Sequence, residues 1–322
     1  MEKPTEHLTL EQAADLLQSG EVVAIPTETV YGLAASIAHD QAIRRVFSLK
    51  GRPLINPLIV HLASAAQLNQ VAREIPEEAR LLAGACWPGP LTLVLPKQPG
   101  VSPLITAGGD TVAVRVPDHP LTRRLLALLP FPLAAPSANP SNYISPTRAE
   151  DVLRGLPELR GRILDGGPCQ RGLESTVVGF RGGDVLLYRY GSLSRETLES
   201  ILGKPLVVAT RTGEVPASPG MLSRHYSPRT PLLVTRRVID TLENLPAGNA
   251  GLLSFRTRYA HPRLSGQVVL SPAGSLEEAA RNLFHSLHYL DTLGLDLIIA
   301  ELLPDEGLGS SVNDRLLRAA AT

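Results

Sequence analysis

Along most of this chain, short apolar runs alternate with segments whose apolar residues recur at helical spacing. Runs this short, bounded by Gly and Pro, suit buried strands, and the segments between them suit helices that pack on a sheet. The alternation dictates an α/β fold. Strands are expected at 22–25, 58–62, 91–95, 111–116, 132–135, 176–180 and 185–189, with another near Ile163. Helices are expected at 40–47, 65–71, 77–86, 121–129, 147–153 and 194–202. Thr9-Leu10-Glu11-Gln12 is a capping box that opens a first helix. The pattern is interrupted once. Residues 209–231 hold four prolines and few apolar side chains, which reads as a linker or functional loop. The alternation then resumes with strands at 232–234, 251–255, 268–270 and 297–299 and helices at 239–245, 276–290 and 311–320. The expected organisation is a large α/β unit over 1–208, a linker over 209–231, and a smaller, Rossmann-like α/β unit over 232–322.

Composition narrows the function classes. Basic and acidic residues balance at 31 each, which argues against a dominant nonspecific grip on nucleic acid or anionic lipid. Only Lys3, Lys50, Lys97 and Lys204 of the 31 basic residues are lysines, so positive charge is mostly planar guanidinium. Cys86 and Cys169 are too few for a disulfide framework and too far apart for a zinc knuckle, as expected of a reducing cytoplasm. The start has no apolar core of a secretory leader, and no apolar run approaches the roughly 20 residues of a membrane span.

No H-E-x-x-H, G-x-S-x-G, P-loop or G-x-G-x-x-G occurs. Four clusters at expected strand ends carry the candidate chemistry. Pro26-Thr27-Glu28-Thr29-Val30-Tyr31-Gly32-Leu33 follows a strand, where α/β folds place ligands; it equally suits an ordinary turn. Lys50-Gly51-Arg52-Pro53, followed by Asn56 and His61, sets two cations near a strand entrance, suited to phosphate or carboxylate or to a solvated turn. Arg115 sits inside the apolar strand 111–116, where a guanidinium requires an anionic ligand or a structural salt bridge. Ala135-Pro136-Ser137-Ala138-Asn139, with Ser145 beyond, offers hydroxyls and an amide, and the following helix could aim its N-terminus at phosphate.

Taken together, these clusters resemble the YrdC-like threonylcarbamoyl-AMP synthases. So do Pro88-Gly89-Pro90-Leu91-Thr92-Leu93 and Gly172-Leu173-Glu174-Ser175-Thr176-Val177-Val178. Ser218-Pro219-Gly220-Met221 with Arg224-His225-Tyr226-Ser227-Pro228, and Gly307-Leu308-Gly309 with Asp314-Arg315-Leu316, resemble the long form with its C-terminal domain. The resemblance implies a twisted mixed sheet around an open basic cavity. It implies synthesis of threonylcarbamoyl-AMP from L-threonine, bicarbonate and ATP with Mg2+, for a separate tRNA threonylcarbamoyl transferase system. Carried over, Thr29, His61, Arg115, Ala135 and Ser175 would hold threonine. Lys50, Arg52, Asn56, Thr111, Ser137, Asn139, Ser145, Arg189 and Tyr226 would hold ATP, with Tyr226 as a lid. No enzyme nucleophile is needed and no metal-ligating residue is assigned. Asn142 departs from the expected pattern, standing where a glycine is common. The competing readings are a noncatalytic RNA-binding protein of the same domain type and an adenylating enzyme that uses another amine.

Overall fold

The computed structural model describes residues 7–209, 225–245 and 248–321. It contains two sheets. The first has nine strands: β1 Val23–Ile25, β2 Gly32–Ser36, β3 Ile59–His61, β4 Leu91–Pro96, β5 Thr111–Arg115, β6 Leu133–Ala134, β7 Thr176–Arg181, β8 Asp184–Arg189 and β9 Val207–Val208. Their order is β1-β2-β6-β3-β5-β4-β7-β8-β9. Pairing is mixed: β3–β5, β4–β7 and β8–β9 run parallel, and the other neighbours run antiparallel. The second sheet, β10 Leu232–Thr235, β11 Ala250–Ser254, β12 Leu264–Val269 and β13 Leu297–Glu301, is parallel throughout in the order β10-β13-β11-β12.

Strand period explains how the first sheet is used. Side chains alternate between faces. Val60, Val112, Val114, Leu93, Leu95 and Val178 fall on one face, in the main core beneath helices such as Asp40–Lys50 and Glu77–Cys86. Ile59, Ala113, Val94 and Val177 fall on the other, in a small separate cluster. This second face carries His61 and Arg115, which sit opposite each other in the β3–β5 register. Helices Leu10–Gln18 and Pro120–Leu128 close a further core over β1 and β2.

The expected capping box at Thr9 is present, with Gln12 N donating to Thr9 Oγ1 at 3.2 Å and Thr9 N to Gln12 Oε1 at 2.8 Å. Three expectations are corrected. The segment after Tyr31 is not only a loop: Gly32–Ser36 is a fully buried strand hairpinned onto β1. Its Gly and Ala residues carry little strand propensity, so tertiary burial decides its conformation. Ile163 makes only an isolated bridge to Ala24. The helix after Ser145 spans Ala149–Gly155 and does not offer a phosphate site. The Thr147 and Arg148 amides at that end both donate to Asp151 Oδ2 at 3.1 Å, so a carboxylate already occupies it.

The second unit packs directly on the first. Its core cluster around Leu283, Phe284, Leu287 and Leu316 includes Val30, Ile144 and Leu173 from the first unit, and Tyr226 beyond the undescribed stretch. Polar bonds cross the same boundary: Tyr143 Oη to Asp291 Oδ2 at 2.7 Å and Ser311 Oγ to the Gly191 carbonyl at 2.8 Å. Asn142 holds the left-handed backbone that a glycine would (φ 67°), which asparagine tolerates, and its carbonyl accepts from Ser227 N at 2.8 Å. Of the expected linker, residues 210–224 lie outside the described residues, among them Ser218-Pro219-Gly220-Met221 and Arg224.

Candidate active site

A cleft of about 580 Å³ opens on the second face of the large sheet. It is lined by Thr29, His61, Arg115, Ala135 and Ser175, the residues expected around threonine. Arg52, Ser137, Arg189 and Tyr226 from the expected ATP set line it too. Segments from Thr29 to Tyr226 thus meet at one place, at the ends of β3, β5 and β8 and in the loops after β1 and β6.

The side expected to hold threonine is densely bonded. Arg115 is buried, and its Nη1 donates to Thr29 Oγ1 at 3.0 Å. Its Nη2 is ion-paired with Glu28 Oε1, while Glu28 Oε2 accepts from Asp118 N at 3.0 Å. The fork that sequence reasoning reserves for a threonine carboxylate is therefore largely occupied by Glu28 and Thr29, leaving buried Nε without a hydrogen-bond partner. Thr27 Oγ1 shares a 2.8 Å hydrogen bond with Thr29 Oγ1. Ser175 Oγ shares one of 2.7 Å with Thr92 Oγ1, and Arg189 donates from Nε and Nη2 to the Ser175 carbonyl at 3.1 and 2.9 Å. His61 Nδ1 lies 3.1 Å from the Ile59 carbonyl, which can only accept. Nδ1 therefore carries the proton, and Nε2 is left as an acceptor. Burial, with the Arg115 charge beside it, pushes the imidazole down to about 3, so His61 is neutral at physiological pH.

On the side expected to hold ATP, Glu174 is the one carboxylate among the described lining residues, beside Arg52 and Arg189. Among the described residues Arg52 has no carboxylate partner. Its Nε donates to the Asn56 carbonyl at 3.1 Å and its Nη2 to the Pro57 carbonyl at 2.8 Å. Burial and the nearby Arg189 lower it to about 9. Lys50 is lowered by burial and by Arg52, and Arg189 chiefly by burial. His225 is lowered by burial and then by Arg52 and Lys50. An anion bound here would relieve all four.

Tyr226 closes this side. It is buried and holds a left-handed backbone (φ 68°), an unfavourable conformation for a tyrosine, and its hydroxyl has no partner. Burial raises its phenol, which stays protonated and able to donate.

The remaining expected residues do not border the cleft. Lys50 Nζ donates to the Ser137 carbonyl at 2.6 Å and to the Asn139 carbonyl, so it acts as a strut behind that loop. Asn139 donates to the Pro140 and Tyr143 carbonyls at 2.9 and 2.8 Å. Asn56 is buried with neither side-chain amide atom bonded. Ser145 donates to Glu174 Oε1 at 2.6 Å. Thr111 lies on the same strand face as Arg115 but at the far end of β5, exposed.

Sequence reasoning assigned no role to Glu28, Thr92, Glu174, His225 or Arg315. For Glu28 a signal existed: a buried arginine requires an anion, and Glu28 is the one acid within the first motif. For Arg315 the signal was spacing, since it follows Val312 by three residues on the apolar face of its helix.

Comparison with known proteins gives this arrangement its place. The Sua5/YciO/YrdC family model, described as telomere recombination, matches residues 15–191, and that of the threonylcarbamoyl-AMP synthase C-terminal domain matches 193–321. The threonylcarbamoyl-AMP synthase of Pyrococcus abyssi is 41% identical over 96% of this chain and 93% of its own length. That of Bacillus subtilis is 40% identical over 96% and 92%. The crystal structure of P. abyssi Sua5 complexed with L-threonine matches with a TM-score of 0.89 at 39% identity, covering 98% of this chain and 96% of that one. With both domains matched in order over nearly the full length, the chain belongs to the Sua5/YrdC family of threonylcarbamoyl-AMP synthases, in the form that carries the C-terminal domain.

Proposed function

We propose that this chain condenses L-threonine, bicarbonate and ATP into threonylcarbamoyl-AMP, releasing pyrophosphate. The observation that supports the reading best is one cleft with two unlike halves. One is a hydroxyl-rich half built on Arg115; the other is a half in which, among the described lining residues, Arg52 and Arg189 outnumber the single carboxylate Glu174. The first suits a small hydroxy amino acid and the second a polyphosphate.

In this reading Thr29, Ser175 and the Ala135 backbone hold threonine, and Arg115 takes its carboxylate through the donors that Glu28 leaves free. Neutral His61 presents Nε2 to an N–H or O–H of the substrate. A group held near pKa 3 is a binder and a poor general base at neutral pH. The threonine amine forms a bond to the carbon of carbon dioxide and loses a proton, giving a carbamate; starting from bicarbonate, the C–OH bond breaks as well and the oxygen leaves as water. A carbamate oxygen then attacks the α-phosphorus of ATP. The bond from that phosphorus to the bridging oxygen breaks, and pyrophosphate departs with the electron pair. Arg52 and Arg189 stabilise the charge that develops on the phosphates, and Tyr226 excludes water from the closed cleft.

Magnesium enters as part of the substrate. Among the described residues no cluster of acidic, His or Cys side chains could hold the ion, and both oxygens of Glu174 are engaged by Ser145 and Arg315. Mg2+ carried mainly by phosphate oxygens and water fits this wall. The product would pass to a transferase system that modifies the adenosine beside the anticodon. A reducing cytoplasm is the compartment we propose, because Cys86 and Cys169 are free thiols.

The test is pyrophosphate release from MgATP with and without L-threonine and bicarbonate. Dependence on both is expected. Release without threonine points to another substrate, and no release shifts the reading to an RNA-binding protein. Competition between threonine and serine at equal concentration tests the amine, and a higher specificity constant for serine would overturn threonine as the substrate.

A further inference from the structure

One buried side chain of the C-terminal unit bonds to the wall of the cleft. Arg315, on helix Gly307–Ala319, is fully buried. Its guanidinium engages four separate groups. Nε donates to Glu174 Oε2 at 2.9 Å, Nη1 to Asp314 Oδ2 at 2.7 Å and Nη2 to the Tyr190 carbonyl at 2.8 Å. Its Cζ lies 4.9 Å from the centre of the Tyr226 ring. A cation over a ring face at this distance is attractive, more so when desolvated.

Two of these partners, Glu174 and Tyr226, line the cleft. Glu174 passes the constraint on, because its other oxygen holds the Ser145 hydroxyl at 2.6 Å. Tyr226 is also wedged from its own side, with Phe284 of the second unit 5.6 Å away and His225 4.0 Å away between ring centres. A buried ion pair adds little stability over an apolar residue of the same volume. Val312, Leu316 and Ala319 already supply the apolar contacts of this helix. Net stability therefore does not account for a charge here, whereas orientation does.

We propose that Arg315 is a positioning residue for the nucleotide half of the cleft: it orients Glu174 and through it Ser145, and holds the Tyr226 ring against the wall. The C-terminal unit then completes the adenylation site. The proposal rests on the synthase reading above.

The experiment uses the full chain and four variants: Arg315→Met, Arg315→Lys, Glu174→Gln and the double variant R315M/E174Q. The melting temperature is recorded for each, and three quantities are measured at a temperature where each is folded: ATP affinity by calorimetric titration, the KM for ATP and the KM for threonine. Arg315→Met is expected to weaken ATP binding and raise its KM about tenfold, with the threonine KM changed less than about twofold. Arg315→Lys should recover only part of this, because an ammonium cannot span Glu174, Asp314 and the Tyr190 carbonyl together. The double variant removes the stranded carboxylate, so its melting temperature recovers while ATP binding stays weak. Recovery of both in the double variant, or an ATP KM within about twofold of wild type in Arg315→Met, would make Arg315 merely structural and overturn the proposal. If wild type releases no pyrophosphate with threonine, the synthase reading fails. The calorimetric comparison of wild type with Arg315→Met still decides the positioning role.

Discussion

Arg115 and Arg52 face the same cleft and are almost equally buried, at 4% and 8% exposure, yet they are compensated in opposite ways. Arg115 is paired with a carboxylate of its own fold, Glu28, and bonded to Thr29. Arg52 is held by two backbone carbonyls. Carbonyls orient a guanidinium but do not neutralise it. On the proposed reading, the threonine half is built before its ligand arrives, and the nucleotide half would be completed electrostatically by the phosphates. A substrate with one carboxylate can be met by a preformed socket, whereas a polyphosphate supplies the anions that the wall lacks.

The largest effect should come from breaking the paired half. Arg115→Met strands Glu28 at 4% exposure, and removing one partner of a buried ion pair costs about 3–5 kcal/mol. The expected outcome is a large fall in melting temperature together with loss of threonine-dependent turnover. The double variant R115M/E28Q should regain stability but not turnover. If Arg115→Met melts with wild type, Glu28 is not the counter-charge we take it for.

Next is the response to ligand. MgATP at a hundredfold excess over its dissociation constant should stabilise the chain by about 2.7 kcal/mol, seen as a rise in melting temperature. L-threonine binds a half that is already compensated, and at its own hundredfold excess it gives the same shift by mass action alone. The comparison sharpens when Arg52→Met is added. That variant strands no acid among the described residues, so its unliganded stability should lie within about 1 kcal/mol of wild type. Its ATP affinity should fall about tenfold, and its threonine affinity should not change. A large loss of stability in Arg52→Met would erase the distinction between the two arginines.

The sequence shows this division only in part. The β3 and β5 segments are legible because they lie in short apolar runs bounded by Pro and Gly; that His61 and Arg115 share one face follows only from the pairing of the two strands. Tertiary closure is not legible. Thr111 shares that face by period, but β5 carries it to the opposite end of the strand. Lys50 reads as a phosphate ligand because it stands with Arg52 near a strand entrance, in a motif that resembles the synthases. In the fold it turns inward at the end of its helix and bonds two carbonyls. Glu174 and Arg315 are 141 positions apart in the chain, and no local pattern links them. Buried charge is the recurrent clue: each arginine on an apolar stripe marks a long-range partner without naming it.

The effect smallest at neutral pH is the response to acid, and it tests the electrostatic side of the comparison. His61 faces Arg115 across one strand pairing and titrates near 3 in the fold, against about 6.5 in an unfolded chain. Between those values the unfolded chain binds the proton and the folded chain does not. Stability from this group is thus fully present above about pH 6.5 and is lost as pH falls towards 3, by up to about 1.4 kcal/mol per pH unit. His225, His119 and His288 are lowered as well, each chiefly by burial, and contribute with the same sign. His61→Gln should therefore flatten the acid limb of a stability–pH curve by about one proton without abolishing it. Arg115 sets part of the His61 shift, so R115M/E28Q should move the His61 titration upward and bring the onset of that limb closer to the ordinary histidine value. An unchanged limb in both variants would show that the charge at Arg115 is not felt across the β3–β5 pairing, and the threonine half would then be organised by hydrogen bonds alone.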